Sequence, residues 1–167
     1  MAGTAWVADA DVLAPVVDMD EAVYGVEAKS RCYDYRVLRH WIAGARRGDT
    51  EPLIENLPGF PDNLSAGLGG RFWLALILPR NKLLDQLSDA PLARTMIQRL
   101  PTFFRPQAVA YGHVVAIDGT GKVLASLQDP GGTYRLTTGA LEARDYIYVG
   151  SLVMPSLGRL PKAKAGL

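Results

Sequence analysis

A short apolar segment built around an aromatic residue occurs three times in this 167-residue chain. The markers Tyr24 and Trp73 are 49 residues apart, and Trp73 and Tyr148 are 75 apart. Within the second interval, residues 81–105 contain leucines at helical spacing. When this segment is subtracted, the second interval is also near 50 residues. A repeat of about 40–50 residues containing short strands is typical of β-propeller blades. Chance spacing of the aromatic residues is the alternative explanation.

Short apolar runs bounded by Gly, Pro, Asp and Asn predict the strands of these repeats. They cover residues 4–8, 12–17, 22–28, 36–43, 51–57, 63–68, 72–78, 108–117, 122–127, 133–138, 146–153 and 157–160. We therefore predict an all-β domain with three blades, over residues 12–57, 58–130 and 131–161. A helical insertion over residues 81–105 interrupts the second blade. The third blade has three predicted strands of its own. The strand at residues 4–8 is expected to become its fourth strand, either within one chain or by exchange between two chains.

The stretch Asn56-Leu57-Pro58-Gly59-Phe60-Pro61-Asp62-Asn63 combines two prolines, a glycine and a polar pair. Because Pro and Gly fix turns, Asp62 and Asn63 are expected at the mouth of the strand that follows. Their side chains carry hard oxygen donors of the kind that Ca²⁺ accepts. Asp and Asn are also the usual turn residues, so capping of a turn is the alternative. The residues by themselves leave both explanations open.

Composition argues against several classes of function. The net charge is +1 and the charged residues are interspersed, which is unlike a nucleic-acid-binding protein. Cys32 is the only cysteine, so no disulfide can form within the chain and a reducing compartment is expected. The sequence shows no signal-peptide pattern at its start and no apolar run near the roughly 20 residues that span a bilayer. We expect a cytoplasmic protein without membrane or nucleic-acid partners.

The segment from Glu55 to Asn63 resembles the signature of the strictosidine synthase-like family. The likeness continues through Arg36-Val37-Leu38-Arg39-His40-Trp41, Leu83-Leu84-Asp85-Gln86-Leu87-Ser88, Leu127-Gln128-Asp129-Pro130-Gly131-Gly132 and residues 146–152, and covers roughly residues 12–161. Members of this family are six-bladed β-propellers, related in fold to gluconolactonases and paraoxonase-type calcium-dependent hydrolases. The matching region corresponds to the C-terminal half of a member. The resemblance therefore implies half of a six-bladed β-propeller, with three four-stranded blades.

The resemblance also implies site residues. Asp62 and Asn63 correspond to the pair that faces the central channel, where paraoxonase-like relatives hold calcium, and Phe60 and Trp73 are expected to line that channel. This correspondence favours calcium binding over turn capping. Where the family often has Pro-Asn-Gly on an inner strand, this chain has Pro15-Val16-Val17, so a calcium ligand common among the relatives is missing. Because Ca²⁺ takes six to eight oxygens, one Asp-Asn pair cannot complete a site alone.

Glu142 falls where strictosidine synthases carry their catalytic glutamate, and a carboxylate there can act as a general base. The local sequence Glu142-Ala143-Arg144-Asp145 replaces the family's usual Glu-His-Asp-Gly. A solvated loop carboxylate paired with Arg144 is the alternative. His40 and His113 have no Ser, Cys or second His at a spacing that indicates a catalytic site, and we expect both to be structural.

Two functions are compatible with these features. The first is a calcium-dependent hydrolase of the lactonase or arylesterase type, in which the metal would polarise the ester carbonyl. The second is a non-catalytic small-molecule-binding or assembly module. Retention of Asp62 and Asn63 favours the first, and Val16 in place of the family's asparagine favours the second. Three blades would leave two open blade faces, so we expect a two-fold homodimer that closes the ring, with residues 4–8 pairing beside the partner's strand at residues 157–160.

Overall fold

The computed structural model describes residues 14–19, 22–26, 35–81 and 109–166, the first two ranges as backbone alone. These ranges form eleven β-strands and one short helix. The elements are β1 (Ala14–Met19), β2 (Ala22–Val26), β3 (Val37–Trp41), β4 (Thr50–Ile54), β5 (Gly59–Ala66), β6 (Arg71–Pro79), β7 (Gly112–Asp118), β8 (Val123–Asp129), β9 (Thr137–Glu142), β10 (Tyr146–Ser151), β11 (Gly158–Pro161) and α1 (Lys162–Ala165).

The strands form three antiparallel sheets. In spatial order these are the first sheet, β1-β2-β3-β4, the middle sheet, β5-β6-β7-β8, and the third sheet, β9-β10-β11. Strand β5 contacts β1 on one side and β9 on the other, so the first strands of the three sheets are neighbours. The prediction of a predominantly β chain built from antiparallel sheets is confirmed.

Some predicted elements lie outside the described residues. They are the strand at residues 4–8 and, apart from Asn81, the helical insertion at residues 81–105. Within the part of the chain that the structure describes, no helix is long and apolar enough to cross a membrane.

The middle sheet is covered on both faces, and the alternation of side chains along β6 shows how. Phe72 and Leu74 point towards the first sheet, whereas Trp73 and Ala75 point towards the third. The first cluster contains Tyr35, Val37, Leu53, Leu57, Leu64, Phe72, Leu74, Leu76, Val115 and Ile117. The second cluster contains Trp73, Ala75, Val114, Ala116, Ala140 and Ile147. The near-continuous apolar sequence of β6 therefore follows from burial on both sides.

Three strands begin four residues away from their predicted starts, and one of them is β7, which begins at Gly112 rather than at residue 108. β5 begins at Gly59 rather than at Asn63, because Pro61 lies in an irregular part of the ladder where its missing N–H does no harm. β9 covers Thr137–Glu142 rather than residues 133–138. The backbone N–H of Tyr134 donates to Asp129 Oδ2 at 2.6 Å, and Leu136 has a φ of +51°, so the preceding residues form a loop.

Candidate functional site

The first strand of each sheet carries an irregularity in its pairing. In β1 the register shifts between Ala14 and Val17, and in β5 it shifts between Pro61 and Leu64. In β9 the shift leaves Thr138 opposite no residue of β10. The residues outside the regular ladder are therefore 15–16, 62–63 and 138. Bulges of this kind re-aim side chains and are enriched next to active sites.

Asp62 and Asn63 lie inside β5, in its bulge, and both side chains are half-buried. Asn63 Nδ2 donates to the carbonyl oxygen of Thr138 at 2.6 Å and to Asp62 Oδ2 at 3.1 Å. The alternative that this pair caps a turn is wrong, because the backbone continues through both residues as a strand. The bulge of β5 is instead tied to the bulge of β9.

The oxygens of this pair would supply part of a cation site. Because Asn63 Nδ2 faces two oxygens, the amide orientation is fixed, and Asn63 Oδ1 accepts no hydrogen bond from any described residue. Burial raises the pKa of Asp62, and no cationic side chain of the described ranges pairs with it. The two side chains carry three oxygens between them, fewer than the six to eight that Ca²⁺ takes. Nowhere in the described ranges do three His, Cys, Asp or Glu side chains gather as a metal site.

One side chain of β5 and one backbone N–H of the turn after it make further contacts with β9. Ser65 Oγ donates to the carbonyl oxygen of Ala140, and the N–H of Leu68 donates to Glu142 Oε2 at 3.0 Å. A Cβ at Gly67 would lie 2.6 Å from Glu142 Oε2, so only glycine leaves room for the carboxylate. The two strands thus run side by side and are joined through side chains.

Glu142, the last residue of β9, is buried and surrounded by positive charge and donors. Its Oε1 lies against Lys162 Nζ, and its Oε2 is 3.4 Å from Arg71 Nε. Trp73 Nε1 donates to Oε2 at 2.9 Å. The alternative of a solvated carboxylate paired with Arg144 is therefore wrong, because both of its oxygens are held inside the protein by other residues.

These contacts decide the ionisation of Glu142. Burial opposes its charge, but the contacts of Lys162, Trp73 and the Leu68 N–H, with the charge of Arg71, outweigh burial and lower the pKa of Glu142. A general base needs access to its substrate and a pKa near the working pH. The Glu142 side chain has no exposed surface, so its position suits a structural carboxylate.

The two aromatic residues predicted to line a channel lie in packed surroundings. Trp73 is fully buried between the middle and third sheets, so its ring lines no open space in the described part of the chain. Its indole N–H is instead committed to Glu142. Phe60 packs against the cluster between the first two sheets, with its ring centroid 4.9 Å from that of Tyr35.

Both histidines bond across the strands of their own sheets. His113 is buried, which lowers its pKa, and its Nε2 lies 3.0 Å from Ser126 Oγ on β8. His40 Nδ1 lies 2.8 Å from Thr50 Oγ1 on β4. These serine and threonine partners could not be found from spacing along the chain, because strand pairing brings them together.

Sequence reasoning missed Thr138, Ser65 and Lys162. A usable signal existed for the first two, since the 75-residue interval between Trp73 and Tyr148 also pairs Asn63 with Thr138 and Ser65 with Ala140. No comparable signal marked Lys162, whose contact with Glu142 depends on the path of the chain after β11.

No protein-family model matches this chain. It is 33% identical over 137 residues to the adipocyte plasma membrane-associated protein of Bos taurus, covering 75% of this chain and 32% of the relative. The Homo sapiens protein of that name is 30% identical over 135 residues. The strictosidine synthase-like 10 protein of Arabidopsis thaliana is 30% identical over 132 residues, covering 74% of this chain and 34% of the relative. The chain thus spans about a third of the length of the curated relatives it matches.

Proposed function

Because the chain belongs to the strictosidine synthase-like family, we propose that its three sheets form half of a six-bladed β-propeller that binds calcium at Asp62 and Asn63. We propose further that the channel of this propeller hydrolyses aryl esters or lactones. The order of the sheets supports the propeller, since the first strand of each sheet neighbours the first strand of the next.

One observation carries the calcium proposal. Asp62 is a half-buried carboxylate whose pKa is raised by burial, and its one described partner is the neutral amide of Asn63. Placing a charge in such surroundings is unfavourable unless a cation compensates it. A hard divalent cation would supply that compensation and would take oxygen ligands of this type.

The residues of the chain have separate roles in this proposal. Asp62 supplies negative charge, and Asn63 presents Oδ1 because its Nδ2 is anchored on the Thr138 carbonyl. Bound calcium would polarise the carbonyl of the ester and stabilise the oxyanion that develops during hydrolysis. Water attack needs a base, and Glu142 is unsuited to that task because it is enclosed and paired with Lys162.

A second copy of the chain would complete the ring and the ligand set. Two copies related by a two-fold axis bring two Asp62-Asn63 pairs to one channel, which raises the number of oxygen ligands. The edge of β11 that faces away from β10 pairs with no other described strand. Residues 4–8 of the partner would pair with this edge and give the third sheet a fourth strand.

Hydrolysis assays test the proposal. The purified chain is mixed with phenyl acetate or a simple lactone, with added Ca²⁺ or with a chelator. We expect calcium-dependent turnover that Asp62→Asn abolishes and that Asp49→Asn, the same change at an exposed carboxylate, preserves. Turnover that is unaffected by the chelator, or by Asp62→Asn, would contradict the proposal.

A non-catalytic small-molecule-binding module is the second candidate. Two observations favour it, namely the enclosure of Glu142 and the sequence Pro15-Val16-Val17 in place of a family ligand. It predicts that no ester or lactone is hydrolysed and that millimolar calcium leaves the melting temperature unchanged.

A further inference from the structure

A serine hydroxyl and a histidine imidazole lie together on the outer two strands of the middle sheet. Ser126 on β8 is exposed, and its Oγ lies 3.0 Å from Nε2 of the buried His113 on β7. In the order β5-β6-β7-β8, two strands separate β8 from β5, which carries Asp62. At about 4.8 Å between neighbouring strands, β8 is about 14 Å from β5. The Ser126–His113 pair is therefore separate from the Asp62-Asn63 pair.

A neighbouring side chain fixes the position of the Ser126 hydroxyl. Gln128 pairs in register with His113 and lies on the same face of β8 as Ser126, two residues before it. Gln128 Nε2 donates to Ser126 Oγ at 3.0 Å, and Gln128 Oε1 accepts from the hydroxyl of Tyr111 at 2.5 Å. Because Gln128 is the donor in its contact with Ser126, the serine hydroxyl is left to donate to His113 Nε2.

The imidazole of His113 is held in a form that accepts this hydrogen bond. His113 is 4% exposed, and the ring of Tyr111 meets it edge-on, with the two ring centroids 5.9 Å apart. Burial lowers the pKa of His113, so the ring is neutral at about pH 7. A neutral imidazole has one nitrogen that accepts and one that carries the proton. With the Ser126 hydroxyl on Nε2, the proton is on Nδ1.

This geometry is that of an activated nucleophile. A serine hydroxyl is weakly nucleophilic by itself and becomes reactive when an adjacent base takes its proton, over a distance of about 2.6–3.2 Å. The 3.0 Å between Ser126 Oγ and His113 Nε2 meets this requirement. We propose that Ser126 is a nucleophilic serine that accepts the acyl group of an activated ester, with His113 as its base. This site shares no residue with the calcium site of the proposed function.

The proposed step is a single acyl transfer to the protein. The bond between Ser126 Oγ and the acyl carbon forms as the C–O bond of the ester breaks. The hydroxyl proton passes to His113 Nε2 and from there to the departing alkoxide or phenolate. The products are an acylated serine and a neutral alcohol or phenol. Each chain takes up one acyl group, which distinguishes this step from the repeated turnover of the calcium-dependent assay.

Two other hydroxyl groups serve as references within the same chain. Thr50 Oγ1 lies 2.8 Å from His40 Nδ1 in an exposed pair that has no second donor among the described side chains. Ser156 is exposed, and its hydroxyl has no hydrogen bond to any described residue. If a nearby imidazole or exposure were sufficient for reactivity, Thr50 or Ser156 would react as fast as Ser126.

Labelling with diisopropyl fluorophosphate tests the proposal. This reagent presents a phosphoryl centre in place of the acyl carbon, so the Oγ–P bond forms, the P–F bond breaks and fluoride leaves. The hydroxyl proton passes through His113 to solvent. The purified chain is treated in the presence of a chelator, and labelled peptides are quantified by mass spectrometry. We expect Ser126 to be labelled at least about a hundredfold faster than Ser156 or Thr50, because general-base assistance contributes about 10²–10⁴-fold.

Variants identify the base. Ser126→Ala should remove the label, and His113→Asn should slow the labelling of Ser126 about a hundredfold or more. His40→Asn, the same change at the other histidine, should leave the rate unchanged. Circular dichroism of each variant confirms that it is folded.

Two results would overturn the proposal. Equal labelling rates for Ser126 and Ser156 in wild type would show that Ser126 is not activated, and this comparison stands even if His113→Asn does not fold. Labelling of Ser126 at the wild-type rate in a folded His113→Asn variant would overturn His113 as the base. Because the chelator is present throughout, neither result bears on calcium-dependent hydrolysis, which the Asp62→Asn assay judges separately.

Discussion

Two carboxylates on neighbouring strands of this protein have opposite surroundings. Glu142, on β9, is enclosed by Lys162, Arg71 and the indole N–H of Trp73. Asp62, on β5, is half-buried, and the amide of Asn63 is its one partner among the described residues. The first carboxyl group has a lowered pKa, and the second has a pKa raised by burial.

The difference is that the charge of Glu142 is paired with cations inside the fold, whereas the charge of Asp62 has no cationic partner among the described residues. Glu142 joins the third sheet to α1 through Lys162 and to the middle sheet through Arg71 and Trp73, so its charge is fully compensated within the chain. Asp62 carries a charge that the described chain does not neutralise. Motif position alone favours both as functional residues, whereas their surroundings favour only Asp62.

The largest effect is expected from Glu142→Gln. The substitution leaves Lys162 and Arg71 next to a neutral group in a buried position, and breaking such a pair costs about 3 kcal/mol. The melting temperature should fall by about 6–12 °C for a chain of this size. Thermal unfolding followed by circular dichroism measures it.

Glu55→Gln is the control for this substitution. Glu55 is 54% exposed and its contact with Arg36 is 3.8 Å long, so its loss should change stability by less than about 0.5 kcal/mol. Equal effects of the two substitutions would mean that Glu142 is not the compensated structural charge described above.

A smaller effect is expected from Lys162→Met. The methionine keeps much of the apolar stem of the lysine but removes one of the two cations, and Arg71 remains 3.4 Å from the carboxylate. We expect a loss of about 1–2 kcal/mol in urea unfolding. In the double variant with Glu142→Gln the two losses should not add, because both remove the same interaction. Strict additivity would contradict the pairing.

The pH dependence of stability should differ in sign for the two carboxylates. Glu142 titrates near 4.5 when unfolded and lower when folded, so its stabilisation is complete above about pH 4.5 and is lost as the pH falls through its folded pKa. Asp62 titrates near 3.8 when unfolded and higher when folded, so acidification relieves an unfavourable charge. Without calcium, the stability of Glu142→Gln should fall less steeply than that of wild type as the pH falls below about 4.5. That of Asp62→Asn should fall more steeply. Urea unfolding at several pH values distinguishes these slopes.

The smallest effect is expected from Asp62→Asn in the absence of metal. Removing a half-buried charge without a cationic partner should leave stability unchanged or raise it by up to about 0.5 kcal/mol. This corresponds to about 1–2 °C in melting temperature. A fall of several degrees with a chelator present would show that the Asp62 charge is compensated after all.

Most strands could be predicted from the sequence, but the contacts around the two carboxylates could not. Alternation and turn residues indicated most strands, because these patterns are local. The bounds of β5 and β9 were wrong where a bulge accommodates Pro61 and where the side chain of Asp129 fixes a loop at Tyr134. Neither of these effects is visible in periodicity.

The candidate site shows the same division. The family signature pointed to Asp62 and Asn63, but it could not show that Asn63 reaches across to Thr138 on β9. Glu142 matched a catalytic position in the family, yet its role depends on Lys162, which lies twenty residues further along the chain. Compensation of charge is set by packing between sheets, so the structure was needed to distinguish the two carboxylates.

Calcium titration of the melting temperature tests the contrast between Asp62 and Glu142 most directly. Wild type, Asp62→Asn and Glu142→Gln are each melted with a chelator and with increasing Ca²⁺. At a hundredfold excess over Kd, bound calcium stabilises the fold by about 2.7 kcal/mol, so wild type should rise by about 5–10 °C. Glu142→Gln should start lower and rise by the same amount, whereas Asp62→Asn should not respond. A wild-type melting temperature that ignores millimolar calcium, or a response that Glu142→Gln removes and Asp62→Asn keeps, would contradict the assignment of Asp62 as the functional carboxylate.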